Sequence, residues 1–145
     1  MLFMKIFLCI WRENNVLILG AGRIAKGMAI LLSKLGVKYS IASFNKQKYP
    51  QNFLYSQHNY FGYDFVRDLR EYDVIVNTIP AEILDENAIN RIGDGTIFIE
   101  TASVNCLNSE KVKNFQYIVA PGLPQKYSCQ TAGKLMLDCI LGRNI

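Results

Sequence analysis

Gly20, Gly22 and Ala25 stand at the spacing G-x-G-x-x-A within Val16-Leu17-Ile18-Leu19-Gly20-Ala21-Gly22-Arg23-Ile24-Ala25, and that spacing suits the binding of a pyrophosphate. Each residue type has a physical reason. Gly20 permits a tight turn, Gly22 lets the backbone approach the phosphates, and Ala25 is small enough for close packing of helix on strand. The first N–H groups of the helix are then free to face an anion. A plain packing turn would also use such glycines, and FAD sites share the motif. A strand before the motif and an amphipathic helix after it favour dinucleotide binding, with Gly20, Gly22, Arg23 and Ile24 at the phosphates.

A second feature is a missing carboxylate. NAD-type domains place Asp or Glu on the adenosine ribose roughly 20 residues beyond the motif. This chain has Ala42-Ser43-Phe44-Asn45-Lys46-Gln47-Lys48 there. A hydroxyl, an amide and two lysines tolerate or attract a 2′-phosphate, so Ser43, Asn45 and Lys46 are candidate contacts. NADP is favoured, with NAD the alternative if the lysines are only solvated loop charges.

Further along, Asn77-Thr78-Ile79-Pro80 follows a run of β-branched residues. The carboxyl end of such a strand faces the ligand crevice in a doubly wound sheet, which makes Asn77, Thr78 and Pro80 candidate contacts to ribose and nicotinamide. The same residues also serve simply to cap a strand and begin a turn. Glu100-Thr101-Ala102-Ser103 ends another strand on the same rim. Glu100 reads better as a hydrogen-bonded structural carboxylate than as an acid or base, and no catalytic group is assigned. Ser103, with Gly122 and Lys126 of the loop Ala120-Pro121-Gly122-Leu123-Pro124-Gln125-Lys126, are substrate-side candidates, Lys126 for an anionic group. His58, the one histidine, stands at no recognised catalytic spacing from a Ser or Cys and reads as a surface residue, and Trp11 as a packing residue.

These residues need a sheet to position them. Short strands are expected at Val16 to Leu19, Lys38 to Ser43, Val74 to Asn77, Thr96 to Glu100 and Gln116 to Val119, with a weaker one around Tyr60. Helical spacing of Ile24, Met28, Leu31, Leu32 and Leu35, stopped by Gly36, joins the first two. Asp85 caps a helix stapled by Leu84 and Ile89 and ended by Gly93. A last helix is expected from about Cys129 to Leu141, and Asn45 to Tyr63 as a loop with a short helix or edge strand. The alternation of strands and helices predicts an α/β fold: a three-layer, doubly wound parallel sheet of the Rossmann NAD(P)-binding type.

With 145 residues the chain suits one domain, set at 16–145 behind an N-terminal extension at 1–15. The net charge of +4 comes from scattered Lys and Arg, which gives no nucleic-acid surface. Cys9, Cys106, Cys129 and Cys139 form no ligand pattern, so neither a metal site nor a disulfide framework is expected. Met1 to Trp11 is apolar but lacks the marks of a signal peptide and is too short to span a bilayer. A cytoplasmic protein whose first residues pack on the domain or on a second protomer is the expectation.

Asn77-Thr78-Ile79-Pro80-Ala81, Leu84-Asp85-Glu86, Ala102-Ser103, Ala120-Pro121-Gly122-Leu123-Pro124 and Thr131-Ala132-Gly133-Lys134 together resemble the family of dipicolinate synthase A subunits over roughly 16–140. The resemblance implies an oxidoreductase of endospore-forming bacteria, active in sporulation, that works with a second subunit. It would convert a hydroxy-tetrahydrodipicolinate to dipicolinate and pass hydride to NADP. It carries Gly20, Gly22 and Arg23 onto the phosphate loop, Asn77, Thr78 and Pro80 onto the rim, and Pro121, Gly122 and Pro124 onto the last loop. Members of that family have an N-terminal domain before the nucleotide domain, so a second subunit or a homodimer is expected to complete the site around a dicarboxylate substrate. The competing expectation is a non-catalytic nucleotide-binding or regulatory module. A D-2-hydroxyacid or shikimate dehydrogenase domain shares the fold, but its His/Glu or Lys/Asp pair is not found in the sequence.

Overall fold

Val16, Leu17, Ile18 and Leu19 are all fully buried, which a strand achieves only when both faces of its sheet are covered. In the computed structural model, which describes residues 13–45, 55–112 and 114–120, they form β1 (Asn15–Leu19) at the centre of a parallel sheet. The other strands are β2 (Lys38–Ser43), β3 (Asn59–Phe61), β4 (Val74–Asn77), β5 (Ile97–Glu100) and β6 (Gln116–Val119). Their order is β3-β2-β1-β4-β5-β6. The chain therefore winds outward from β1 through β2 to β3, then crosses back to place β4 on the other side of β1. A ligand crevice belongs at that reversal, beyond the carboxyl ends of β1 and β4.

The expected strands are all present, β1 one residue longer and β5 one residue shorter than read, and the weak one around Tyr60 is the edge strand β3. The expected helix from Cys129 to Leu141 lies outside the described residues, as do Trp11, Lys46, Gly122 and Lys126.

Side-chain alternation divides the core into two layers. Val16 and Ile18 face one way with Tyr39, Ile41, Val74 and Val76, under Ala25, Met28 and Leu32 of helix α1 (Arg23–Leu35). Leu17 and Leu19 face the other way with Ile75 and Phe98, under Phe65 and Leu69 of a 3₁₀ helix (Asp64–Glu71) and Ile89 of helix α2 (Glu86–Ile89). Helix, sheet and helix make the three layers. Gly36 ends α1 with φ 70°, its N–H returned to the last carbonyls, as a left-handed C-terminal glycine should.

Helix α2 is shorter than its sequence suggests. It begins as expected, with the Asp85 carboxylate accepting from Ala88 N at 2.8 Å, and with Leu84 and Ile89 buried in one cluster. It stops at Ile89, four residues before Gly93. The backbone tightens there: Arg91 N donates to Ala88 O and Ile92 N to Ile89 O, each spanning three residues instead of four. One turn has little margin without its cap. Asp85→Ala is expected to lower stability by about 1 kcal/mol, seen as a fall of roughly 3 °C in melting temperature.

Candidate functional site

The turn from β1 into α1 is built on Gly20. Its φ of 112° is reached readily only by glycine, and its N–H donates to Ala42 O at 2.8 Å, tying the turn to β2. There is no room for a side chain: a Cβ at Gly20 would collide with Thr78 Oγ1 and stand 3.2 Å from Ile79 Cγ1. Thr78 is held in that position, its N–H and its hydroxyl both donating to Leu19 O, at 2.9 and 2.8 Å. The ends of β1 and β4 thus close directly onto each other at the switch in strand order.

Gly22 differs in kind. It is the N-cap of α1 with extended backbone, φ −82° and ψ −167°, and among the described residues a Cβ there would meet nothing within 4 Å. No side chain caps the helix and its first turn holds no acidic residue. The first-turn N–H groups, which no helix can satisfy internally, open onto the space that Gly22 leaves. Exposed Arg23 adds a positive charge at the same end, while Ile24 is half-buried against the core below α1.

At the end of β2, Ser43 is buried and its hydroxyl is engaged by Asn45, donating to Asn45 O at 3.0 Å and accepting from Asn45 N at 3.3 Å. It shapes the turn and offers no free hydroxyl to a ribose. No acidic side chain stands at 42–45. Beside this turn, Phe44 meets Tyr63 edge-on at 5.1 Å. Between the segments that follow β3 and β4 lies a cavity of about 470 Å³, walled by Tyr63 and Val66 on one side and by Ile83, Leu84 and Ala88 on the other, with the polar Glu82, Asp85 and Asn87 also on its wall.

Asn77 is not where a direct cofactor contact would have to be. Its side chain has no exposed surface, donates to Ile79 O at 2.8 Å and to Glu100 Oε1 at 2.7 Å, and accepts from Ile79 N at 3.0 Å. The reason is register: Asn77 and Glu100 are paired across β4 and β5. Glu100, also fully buried, accepts further from Ala102 N at 3.2 Å and Cys106 N at 2.8 Å. This is the structural carboxylate that the sequence favoured. Thr78, half-buried, and Pro80, exposed, remain on the rim, and Ser103 is exposed after β5.

Cys106 stands out in the sequence only as a thiol, yet its backbone holds the site together. Its carbonyl accepts from Ile83 N and Leu84 N at 2.9 and 3.0 Å. Nothing in the residue type signals this, because the backbone makes the bonds. Burial, then the neighbouring Glu100, pushes the Cys106 thiol up, which keeps it protonated and no nucleophile. His58 is exposed, as expected. Among the described residues no group of His, Cys, Asp and Glu could hold a metal, and no helix is long and apolar enough to cross a membrane.

Residues 9–115 match the family model of the D-isomer specific 2-hydroxyacid dehydrogenase NAD-binding domain. No curated sequence matches the chain. Among solved structures it is similar to the A subunit of dipicolinate synthase from Bacillus halodurans, with 24% identity and a TM-score of 0.67 over 95% of this chain and 50% of that one. The corresponding dipicolinate synthase chain from Bacillus subtilis gives 21% identity and a TM-score of 0.69 over 97% and 50%. The NAD-complexed D-isomer specific 2-hydroxyacid dehydrogenase of Lactobacillus delbrueckii ssp. bulgaricus gives 15% and 0.59 over 81% and 38%. The chain thus spans about half the length of the dipicolinate synthase chains it matches. At these identities the likeness to solved structures is one of fold.

Proposed function

The chain belongs to the family of D-isomer specific 2-hydroxyacid dehydrogenase NAD-binding domains, and from that premise we propose that it binds NADP as the cofactor domain of an oxidoreductase. The observation that carries this reading is the open, uncapped start of α1 at Gly22, placed at the reversal of strand order. It fits a dinucleotide on two counts. The space that a Cβ would fill is clear for a pyrophosphate, and the first-turn N–H groups have no competing carboxylate.

When bound, the dinucleotide supplies a nicotinamide ring that takes up or gives a hydride. The chain's own residues bind and orient it. First-turn N–H groups and Arg23 hold the phosphates, and Gly20 and Thr78 keep the floor of the crevice low enough for close approach. The cavity beside Tyr63 and Ile83 offers an apolar patch to the face of the adenine and, in Glu82, Asp85 and Asn87, polar groups to its edge. The absence of a carboxylate at 42–45, with Lys46 and Lys48 following in the sequence, supports NADP over NAD.

For the substrate we favour a cyclic dicarboxylate of the tetrahydrodipicolinate type, on the strength of the likeness to dipicolinate synthase. Ser103, Gly122 and Lys126 would face it, in a cytoplasmic enzyme completed by a second subunit or a second copy. The acid or base would come from that partner, because segments 78–84 and 101–107 hold no His or Lys and only two titratable side chains, Glu82, which lines the cavity at the adenosine end, and the buried Cys106. That same lack favours the second reading, a nucleotide-binding module without chemistry of its own.

Calorimetric titration with NADPH and NADH is the test. NADPH is expected to bind with a Kd on the order of micromolar, and more tightly than NADH. Failure of both to bind would overturn the cofactor reading. With NADPH bound, hydride transfer on adding the dicarboxylate and a candidate second subunit separates the enzyme from the module.

A further inference from the structure

We infer that Glu100 is a positioning residue for the dinucleotide: it touches no solvent, yet it anchors the two segments that follow β4 and β5, beside the crevice, into one frame. The inference deepens the cofactor reading and rests on it. Glu100 Oε1 accepts from Asn77 Nδ2, and Asn77 passes the constraint on to Ile79 through both its amide and its carbonyl oxygen. Glu100 Oε2 accepts from Cys106 N, and Cys106 O receives Ile83 N and Leu84 N. Segments 78–84 and 101–107 are joined directly by the backbone bonds at Cys106, and one carboxyl group anchors both that junction, through Cys106 N, and the start of 78–84, through Asn77.

What the frame holds is the surface that the ligand would meet. Ile79 and Thr78 are packed over Gly20 at the phosphate turn, while Ile83 and Leu84 wall the cavity at the adenosine end. A buried charged or polar group contributes little stability over a well-packed apolar one of similar volume. A fully satisfied network does add a fixed geometry. Three N–H donors converge on the two oxygens of Glu100, so an amide in its place would turn an NH2 group towards at least one of them.

The test compares Glu100→Gln and Glu100→Asp with a control, Thr96→Val. The control removes another buried hydrogen bond, from Thr96 Oγ1 to Tyr72 O, at the opposite end of β5. NADPH affinity and melting temperature are measured for each variant, together with hydrogen exchange of the ligand-free proteins. Glu100→Gln is expected to bind NADPH about tenfold more weakly, the equivalent of one lost hydrogen bond to a charged group. Thr96→Val is expected to bind as the unchanged protein does, even where it melts at the same temperature as Glu100→Gln. Glu100→Asp, which keeps two accepting oxygens, is expected to fall between them and to serve where the Gln variant does not fold.

Faster exchange at Ile79, Ile83, Leu84 and Cys106 together, in the Glu100 variants alone, is the expected sign of a loosened frame. Unchanged affinity and unchanged exchange in the Glu100 variants would overturn the inference. So would a control that loses affinity in step with its melting temperature, since stability alone would then explain the loss. If the unchanged protein binds no dinucleotide, it is the cofactor reading that fails, and exchange at the four amides still decides whether Glu100 holds both segments.

Discussion

Gly22→Asp is expected to weaken dinucleotide binding by at least about 100-fold while leaving the melting temperature unchanged or slightly higher. The backbone at Gly22 suits any L-residue, with φ −82° and ψ −167°, and a Cβ there meets nothing among the described residues within 4 Å. Asp is also a preferred N-cap, its carboxylate accepting from the N–H groups of the first turn. The variant therefore satisfies the helix end from within the chain and occupies the place the pyrophosphate would take. Two like charges about 4 Å apart at a protein surface repel by roughly 4 kcal/mol at an effective dielectric constant near 20. Titration with NADPH and thermal melting, run on the same preparation, check both halves of the expectation. Full-strength binding by the variant would mean that no phosphate lies at Gly22, and the cofactor reading would lose its main support.

The contrast between Gly20 and Gly22 shows how far the sequence could be read. That both belong to a phosphate turn follows from local rules, since a strand, the spacing of small residues and an amphipathic helix are all contiguous in the chain. The strands were legible for the same reason: short runs such as Val74-Ile75-Val76 and Ile97-Phe98-Ile99 are apolar throughout because both faces of the sheet are covered. What local rules miss is pairing. Asn77 looks like a rim residue because it ends a strand and precedes a turn. Its amide points inward because Glu100, 23 residues away, is brought opposite it by the parallel register of β4 and β5. Ser43 is a similar case, its hydroxyl taken up by Asn45 two residues on.

The early stop of α2 has a comparable cause. The cap and the staple are sequence features and both are present, but the length of the helix is set by where the chain must turn to reach β5. Gly93 lies in that turn, where a Cβ would stand 3.4 Å from Arg70 O and 3.2 Å from Thr96 Oγ1. Close approach to the end of the 3₁₀ helix, together with the tightened turn before it, accounts for the glycine there better than a helix stop does.

Gly20→Ala is expected to destabilise the fold by about 3 kcal/mol, combining backbone strain at a positive φ with overpacking against a fixed neighbour. For a chain of this size that corresponds to a fall of roughly 10 °C in melting temperature. The two causes can be separated. The added methyl would collide with Thr78 Oγ1, which cannot simply swing aside because it donates to Leu19 O. Thr78→Ala alone should cost about 1 kcal/mol for that hydrogen bond. In the double variant the collision disappears while the strain at φ 112° remains, so the combined loss should fall short of the sum by roughly 1–2 kcal/mol. Thermal and urea unfolding of the four proteins measures that difference directly. Simple additivity would show that Thr78 yields freely and that backbone strain alone demands glycine at position 20. A large coupling would show that β1 and β4 approach each other too closely at the switch point for any side chain, which is the same closeness that lets a dinucleotide lie low across the crevice.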